Sequence, residues 1–250
     1  MNERPIPVAK PLPPLHVTRA GTGFGVMAGD RPWRTPAGHD LVVPSHALAE
    51  MLAAEIAAAR ATQKNGRSRM DDLGHTRLAA TAIDRIGSAV AETREALLAF
   101  ASTDLVCYRD VGGSPLRSRQ DEVWQPLLDW LDERFEARLL VAEGVMPQRQ
   151  PKESLDALAS VLERCDPFVL SGLGLAVETA GSLAIGLALA FGRLDAAQAT
   201  ALAEFDEVYQ NEQWGEDAEA KALRRLRAAD MALAERFLTL LKTSNAGTQS

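Results

Sequence analysis

The chain has 250 residues, 46% of them hydrophobic and 5% aromatic, and a formal net charge of −7. That is enough apolar material for one large core or two modest ones, and its bias toward alanine and leucine in the second half favours helix, where both side chains lose little freedom. Two cysteines, Cys107 and Cys165, exclude a disulfide framework, and the four histidines, confined to the first third without ligand spacing, exclude a clustered metal site.

Residues 1–14 contain five prolines and no apolar periodicity, which predicts a flexible arm. The first residues show neither an apolar secretory core nor an Arg-rich amphipathic presequence, so the expected location is the bacterial cytoplasm. From Leu15 the pattern changes. Short apolar runs at His16-Val17-Thr18, Phe24 to Met27, Trp33 to Thr35 and Leu41 to Val43 alternate with turn residues at Ala20 to Gly23, Ala28 to Asp30 and Pro36 to Gly38, which reads as an antiparallel meander. Ser45 then offers an N-cap, and Ala47, Leu48, Met51, Leu52, Glu55 and Ile56 recur at helical steps, so a covering helix runs to about Ala61. A polar loop at 63–69 follows, and helical spacing resumes from Arg77 to Ile86. The first domain is expected to span 15–87.

Beyond Gly87 the patterns are helical: Ala91 to Ser102, Gln120 to Arg134, Pro151 to Cys165, Pro167 to Phe191, and two more helices up to residue 242, with 243–250 as a disordered tail. The fold class is therefore α+β, a small antiparallel β-rich N-terminal domain followed by a larger all-helical C-terminal domain over 88–242. Val169 to Phe191 holds a single charge, Glu178, in 23 residues, long enough to span a bilayer. Glu178 near its centre would cost about 3 kcal/mol on insertion, and four glycines dilute the hydrophobicity. A buried central helix is expected instead, with no membrane insertion.

Charge is unevenly placed: residues 1–120 carry 15 bases and 12 acids, residues 121–250 carry 12 bases and 22 acids, a split of +3 and −10. Phosphates would be repelled from the C-terminal half, which argues against nucleic acid and for a basic or polar protein partner. The acids concentrate in Asp195 to Glu219, a stretch without lysine or arginine. Asp195 and Gln198 have the spacing of a capping box, Gly215 is expected to end that helix in αL geometry, and Asp217 to cap the last helix. On a helix, Leu202, Phe205, Val208 and Tyr209 share one face while Glu204, Glu207 and Asn211 share another. Glu204, Glu207, Asn211, Glu216 and Asp217 are thus candidate partner-binding residues, against the plainer reading of a solvated face. Trp214, large and beside a tight turn, is expected to be a buried anchor.

No chemistry emerges elsewhere. Gly21-Thr22-Gly23-Phe24-Gly25 lacks the following Lys-Ser or Lys-Thr of a phosphate loop and precedes a strand, so a hairpin turn is the better reading. Cys107 lies in an apolar run and is expected to be an inert buried thiol. The acidic pair could serve a helical hydrolase using paired carboxylates, but no histidine or aromatic platform lies nearby in sequence. The expectation is a non-enzyme without cofactors.

Several strings in order resemble the ATP synthase assembly chaperones, the Atp-twelve family. They are Arg31-Pro32-Trp33-Arg34-Thr35-Pro36, Leu41-Val42-Val43-Pro44-Ser45-His46-Ala47-Leu48-Ala49, Thr76 to Asp84, and Thr103-Asp104-Leu105-Val106-Cys107-Tyr108-Arg109. Arg119-Gln120, Trp124 to Leu128, Thr179 to Leu183, Asp206-Glu207-Val208-Tyr209-Gln210 and Trp214-Gly215-Glu216-Asp217 complete the series. The chain departs from the family at Ala80, where an asparagine is usual, at Ile56, where a tryptophan is usual, and after Met70. The resemblance implies an ATP-independent chaperone that holds the α subunit of the F-type ATP synthase until it meets β, in the mitochondrial matrix for eukaryotic relatives, and the chain is expected to be monomeric. It also implies that an acidic residue in the last third matters for function, for which Glu207 and Glu216 are the best matches.

Overall fold

The computed structural model describes residues 13–62, 73–144, 146, 148–215 and 218–243. The arm before residue 13, the polar loop at 63–69, the tail from 244 and the two candidates Glu216 and Asp217 lie outside them.

Gly21 lies in the left-handed region, φ +58°, which lets the chain reverse within two residues. Strands β1 (Leu15–Ala20) and β2 (Gly23–Ala28) therefore pair antiparallel, with Ala20 opposite Gly23 and Leu15 opposite Ala28. The short strands β3 (Arg31–Pro32) and β4 (Val42–Val43) both pair antiparallel with β2, so the expected antiparallel sheet is observed, but β4 returns to β2 rather than to β3 and the third strand lies at Arg31–Pro32 instead of Trp33 to Thr35. Helix α1 (His46–Thr62) places Leu48, Leu52 and Ile56 at four-residue intervals, all fully buried with Val26, Leu41 and Val43 of the sheet. Glu55 leaves that apolar stripe and accepts from the backbone N–H groups of His75 (3.0 Å) and Thr76 (2.8 Å). That carboxylate satisfies the start of α2 (Gly74–Asp84), whose N-cap position, Leu73, supplies no side-chain acceptor. The positions that depart from the family, Ile56 and Ala80, are both buried.

A 3-10 turn, Ile86–Ser88, leads into α3 (Val90–Ser102), and a second, Leu105–Cys107, into strand β5 (Tyr108–Arg109). Helix α4 (Pro115–Phe135) begins five residues earlier than the periodicity of its apolar face suggests. Ser114 accepts from Arg117 N–H at 3.0 Å and Pro115 presets the first turn, a start signal made of polar residues. Strand β6 (Ala142–Glu143) pairs with β5 in parallel, a two-residue ladder inside the otherwise helical region that the sequence reading did not contain.

Helix α5 (Lys152–Glu163) precedes the apolar segment, which is not one helix but two, α6 (Pro167–Ala180) and α7 (Leu183–Ala190). Gly181 at φ +65° closes α6 and Ser182 opens α7 by accepting from Ile185 N–H at 3.0 Å. Neither piece can span a bilayer, and among the described residues no helix is long and apolar enough to do so. Both are buried instead: Leu170, Leu173, Val177 and all of Leu183 to Leu189 lie in the core. Helix α8 (Ala196–Ala203) carries the expected capping box, Asp195 and Gln198 exchanging bonds at 2.8 and 3.0 Å. The chain then breaks at Glu204 before α9 (Phe205–Trp214), where a continuous helix was expected. Gly215 has φ +85° but ψ 159°, so it ends α9 in an extended rather than an αL conformation.

Helix α10 (Ala218–Lys242) runs back along the molecule. Gly172 of α6 allows it close, since a Cβ there would lie 3.0 Å from Phe237 and Leu238. Met231 and Ala234 enter the core of α3 to α8, whereas Phe237, six residues along from Met231, enters the core under the sheet. Ser45 donates to the carbonyl of Leu240 at 2.6 Å, fixing the end of α10 to the start of α1.

Candidate functional site

The candidate surface is built outward from a buried aromatic pair. Trp124 of α4 is fully buried, donates from Nε1 to the carbonyl of Leu202 at 3.0 Å, and meets Phe205 edge-on with centroids 5.8 Å apart. Arg109, its side chain wholly buried, lies 5.6 Å over the same Trp124 ring and pairs with Asp121. One helical turn earlier on α4, Gln120 donates to Asp206 at 2.8 Å while its carbonyl oxygen accepts from Asp110 N–H at 2.7 Å. Burial pushes the Asp206 carboxyl above its ordinary range, and the bond from Gln120 opposes that shift. Arg119 stacks 5.2 Å over Tyr209 and pairs with Glu212 at 3.0 Å. These contacts fix which way α9 faces.

Once α9 is clamped on α4 through Phe205, Asp206 and Tyr209, its opposite side meets α10. Arg227 contacts both oxygens of Glu207 at 2.8 and 2.9 Å, and its Nη1 lies 4.0 Å from Glu204. The two predicted carboxylates do line one cleft of about 510 Å³, joined there by Glu178 of α6 and Asp230 of α10. They are not equivalent. Glu204 sits at the break between α8 and α9 and is buried, whereas the Glu207 side chain is half exposed. Asn211 is half-buried on α9, and its carbonyl accepts from Gly215 N–H at 2.9 Å. The apolar residues expected to share a face divide: Phe205 packs against the core while Val208, on the same helix, is exposed.

Trp214 is the clearest correction. It is 89% exposed rather than a buried anchor. Nine residues separate it from Phe205, two and a half turns, so a helix that buries Phe205 must present Trp214 on its far side. Leu223 and Leu226 of α10, which the sequence reading does not single out, are also exposed, at 48% and 64%. The signal was available in their three-residue spacing.

Behind the cleft, Asp104 holds two elements at once. It accepts from Val106 N–H at 3.3 Å in the turn after α3 and from Ala184 N–H at 3.0 Å at the start of α7. Full burial pushes its carboxyl up to about 6, although these bonds and one from Ser182 pull the other way. Cys107 is buried and its thiol is pushed well above the usual range by desolvation, which keeps it protonated. As chemistry, the cleft offers carboxylates with a guanidinium between two of them, and no histidine lines it among the described residues. No group of three or more potential metal ligands occurs among those residues either.

The sequence model of the ATP12 chaperone protein matches residues 14–132. Crystallographic Atp12 from Paracoccus denitrificans superimposes with a TM-score of 0.84 at 35% identity, covering 91% of this chain and 95% of that one. An aspartate-to-lysine mutant of the same Atp12p gives 0.85 at 34% identity with the same coverage. A candidate chaperone from Agrobacterium tumefaciens gives 0.84 at 38% identity, covering 91% of this chain and 84% of its own. With that level of identity over nine-tenths of its length, and with the strings at Arg109, Gln120, Trp124 and Asp206 converging on one clamp, the chain belongs to the ATP12 chaperone family.

Proposed function

We propose that this chain is an ATP-independent assembly chaperone that binds the α subunit of the F-type ATP synthase and keeps it from aggregating before it meets β. Family membership supports the class of activity. The observation that supports a client surface is the α9–α10 hairpin. Of the seven large apolar side chains exposed among the described residues, Val208, Trp214, Leu223 and Leu226 lie on it, beside the acidic cleft. Exposed apolar groups rimmed by charge mark a surface that meets another protein. Glu204, Glu207 and Asn211 belong to the same hairpin, and Glu207 is the charge on it best placed to meet a basic client.

The test is co-expression of α subunit with chaperone variants, reading the soluble α fraction beside each variant's melting curve. Trp214→Ala should leave stability within about 0.5 kcal/mol, as exposed substitutions do, and lower soluble α. Glu207→Lys should also lower it, but that change sets two cations against each other at Arg227. The swap Glu207→Lys with Arg227→Glu restores the internal pair and separates the two causes. If the swap remains defective, Glu207 acts on the client; if it recovers fully, Glu207 serves the hairpin alone. A wild-type chain that does not raise soluble α would remove the proposal.

A further inference from the structure

Two hollows border α6. One, of about 590 Å³, lies between α2 and α3 and reaches Leu170, Gly174 and Leu175. The other is the acidic cleft. Both are lined by Leu175 and Glu178, so the two hollows adjoin along α6 and together outline a trough. The stretch of α6 beneath it, from residue 170 to residue 181, rises about 16 Å.

The two ends of the trough differ in charge. Arg77 and Arg85 of the α2 region line one end with Glu92, and Glu178 borders both ends. Glu178, Glu204, Glu207 and Asp230 stand at the other, where Arg227 is already engaged by Glu207. The rest of the lining is mixed, with the half-buried apolar side chains Phe100 and Leu175 beside Thr81 and Thr93.

Gly174 lies on the floor. Glycine inside a helix is unfavourable relative to alanine, and it persists where backbone geometry or a close neighbour demands it. At Gly172 the neighbours are Phe237 and Leu238, but a Cβ on Gly174 would find nothing closer than Leu97 Cδ2 at 4.0 Å, and its φ is not positive. Packing within the chain does not call for it. Its effect is to leave the trough floor bare, so that another backbone can approach α6.

We propose that this trough is a docking groove for a segment of the client polypeptide: a few apolar side chains over Phe100 and Leu175, followed by basic residues over Glu178 and Asp230. The proposal rests on the client-binding reading above and specifies which kind of segment is held. An extended stretch of about five residues matches the length of the floor. Charge complementarity fixes its direction, base toward α9 and α10 and away from Arg77 and Arg85.

The experiment titrates the full chain into dye-labelled overlapping peptides of about 15 residues that span the α subunit, reading fluorescence anisotropy. Peptides that bind should carry an apolar run followed by Lys or Arg. Their affinity should fall about tenfold or more in Gly174→Phe, which fills the floor, and hold within about twofold in Gly174→Ala. Should Gly174→Phe melt early, Glu178→Lys decides instead: as an exposed change it should weaken the basic peptides about tenfold without moving the melting curve. Unchanged peptide binding in either folded variant, or no peptide binding by wild type, overturns the groove. The two readings fail separately. Capture of intact α that survives Gly174→Phe but not Trp214→Ala removes the groove and keeps the chaperone, whereas a wild-type chain that binds the peptides yet does not keep intact α soluble removes the chaperone and keeps the groove.

Discussion

Asp104 shows how a single residue can hold a junction at a cost. Its carboxyl is fully buried and titrates near 6 in the fold, above the 3.8 of the free side chain, because burial penalises the charged form more than its hydrogen bonds favour it. The folded state therefore binds that proton more tightly than the unfolded state. The sign follows: the stabilisation is fully present below about pH 4 and is lost as pH rises through 6, by about 3 kcal/mol for a shift of some two units. Asp104→Asn removes the titration. The difference in unfolding free energy between wild type and Asp104→Asn, from urea titrations, should accordingly fall by about that amount between pH 4 and pH 7. A difference that does not vary with pH would mean that the carboxyl titrates alike in both states. The same scale explains the two tryptophans of the candidate surface. Trp124 is a structural ring because it lies one turn from Gln120 on the buried side of α4, whereas Trp214 is exposed by its phase relative to Phe205.

Among elements, the α6–α7 corner is the most informative. Uniform apolarity from Val169 to Phe191 hides a break that rests on two adjacent residues, Gly181 in the left-handed region and Ser182 as the next N-cap. An alanine forced into the left-handed region costs about 1–2 kcal/mol. Gly181→Ala should therefore destabilise the chain by about that amount, since no atom crowds the position and the backbone alone is at issue. Thermal denaturation checks it. A loss well below 1 kcal/mol would mean that the corner relaxes to another geometry. The break at Glu204 has no such glycine: its backbone N–H still bonds to Thr200, and Trp124 contacts the residues on both sides of it, the Leu202 carbonyl and the Phe205 ring.

At the scale of the whole molecule, α10 joins the two cores. Met231 and Ala234 serve the core of α3 to α8 and Phe237 the core beneath the sheet, with Ser45 bonded to Leu240 beyond it. Phe237 is fully buried, so Phe237→Ala should cost about 3–5 kcal/mol. It should also loosen the coupling between the cores, so that far-ultraviolet circular dichroism and tryptophan fluorescence, to which Trp33 contributes from one core and Trp124 and Trp130 from the other, no longer share one transition. Coincident transitions in this variant would show that the cores are coupled without Phe237. The sequence by itself determined what depends on near neighbours. The hairpin at Gly21, the cap at Ser45, the capping box at Asp195 and the helical stripe through Leu48, Leu52 and Ile56 each rest on bonds or contacts three or four residues apart, or on the backbone freedom of one glycine. The ordered family strings likewise pointed to the α9 region. What only tertiary structure decided is how helices face one another: that Glu204 is buried and Glu207 is not, that Glu178 and Asp230 join them in one cleft, that Trp214 faces outward, and that β5 finds β6 across more than thirty residues. Local patterns set the axis and the apolar stripe of each helix, but the exposure of any residue beside that stripe depends on which distant element packs there, and that is settled only when all the helices compete for one core.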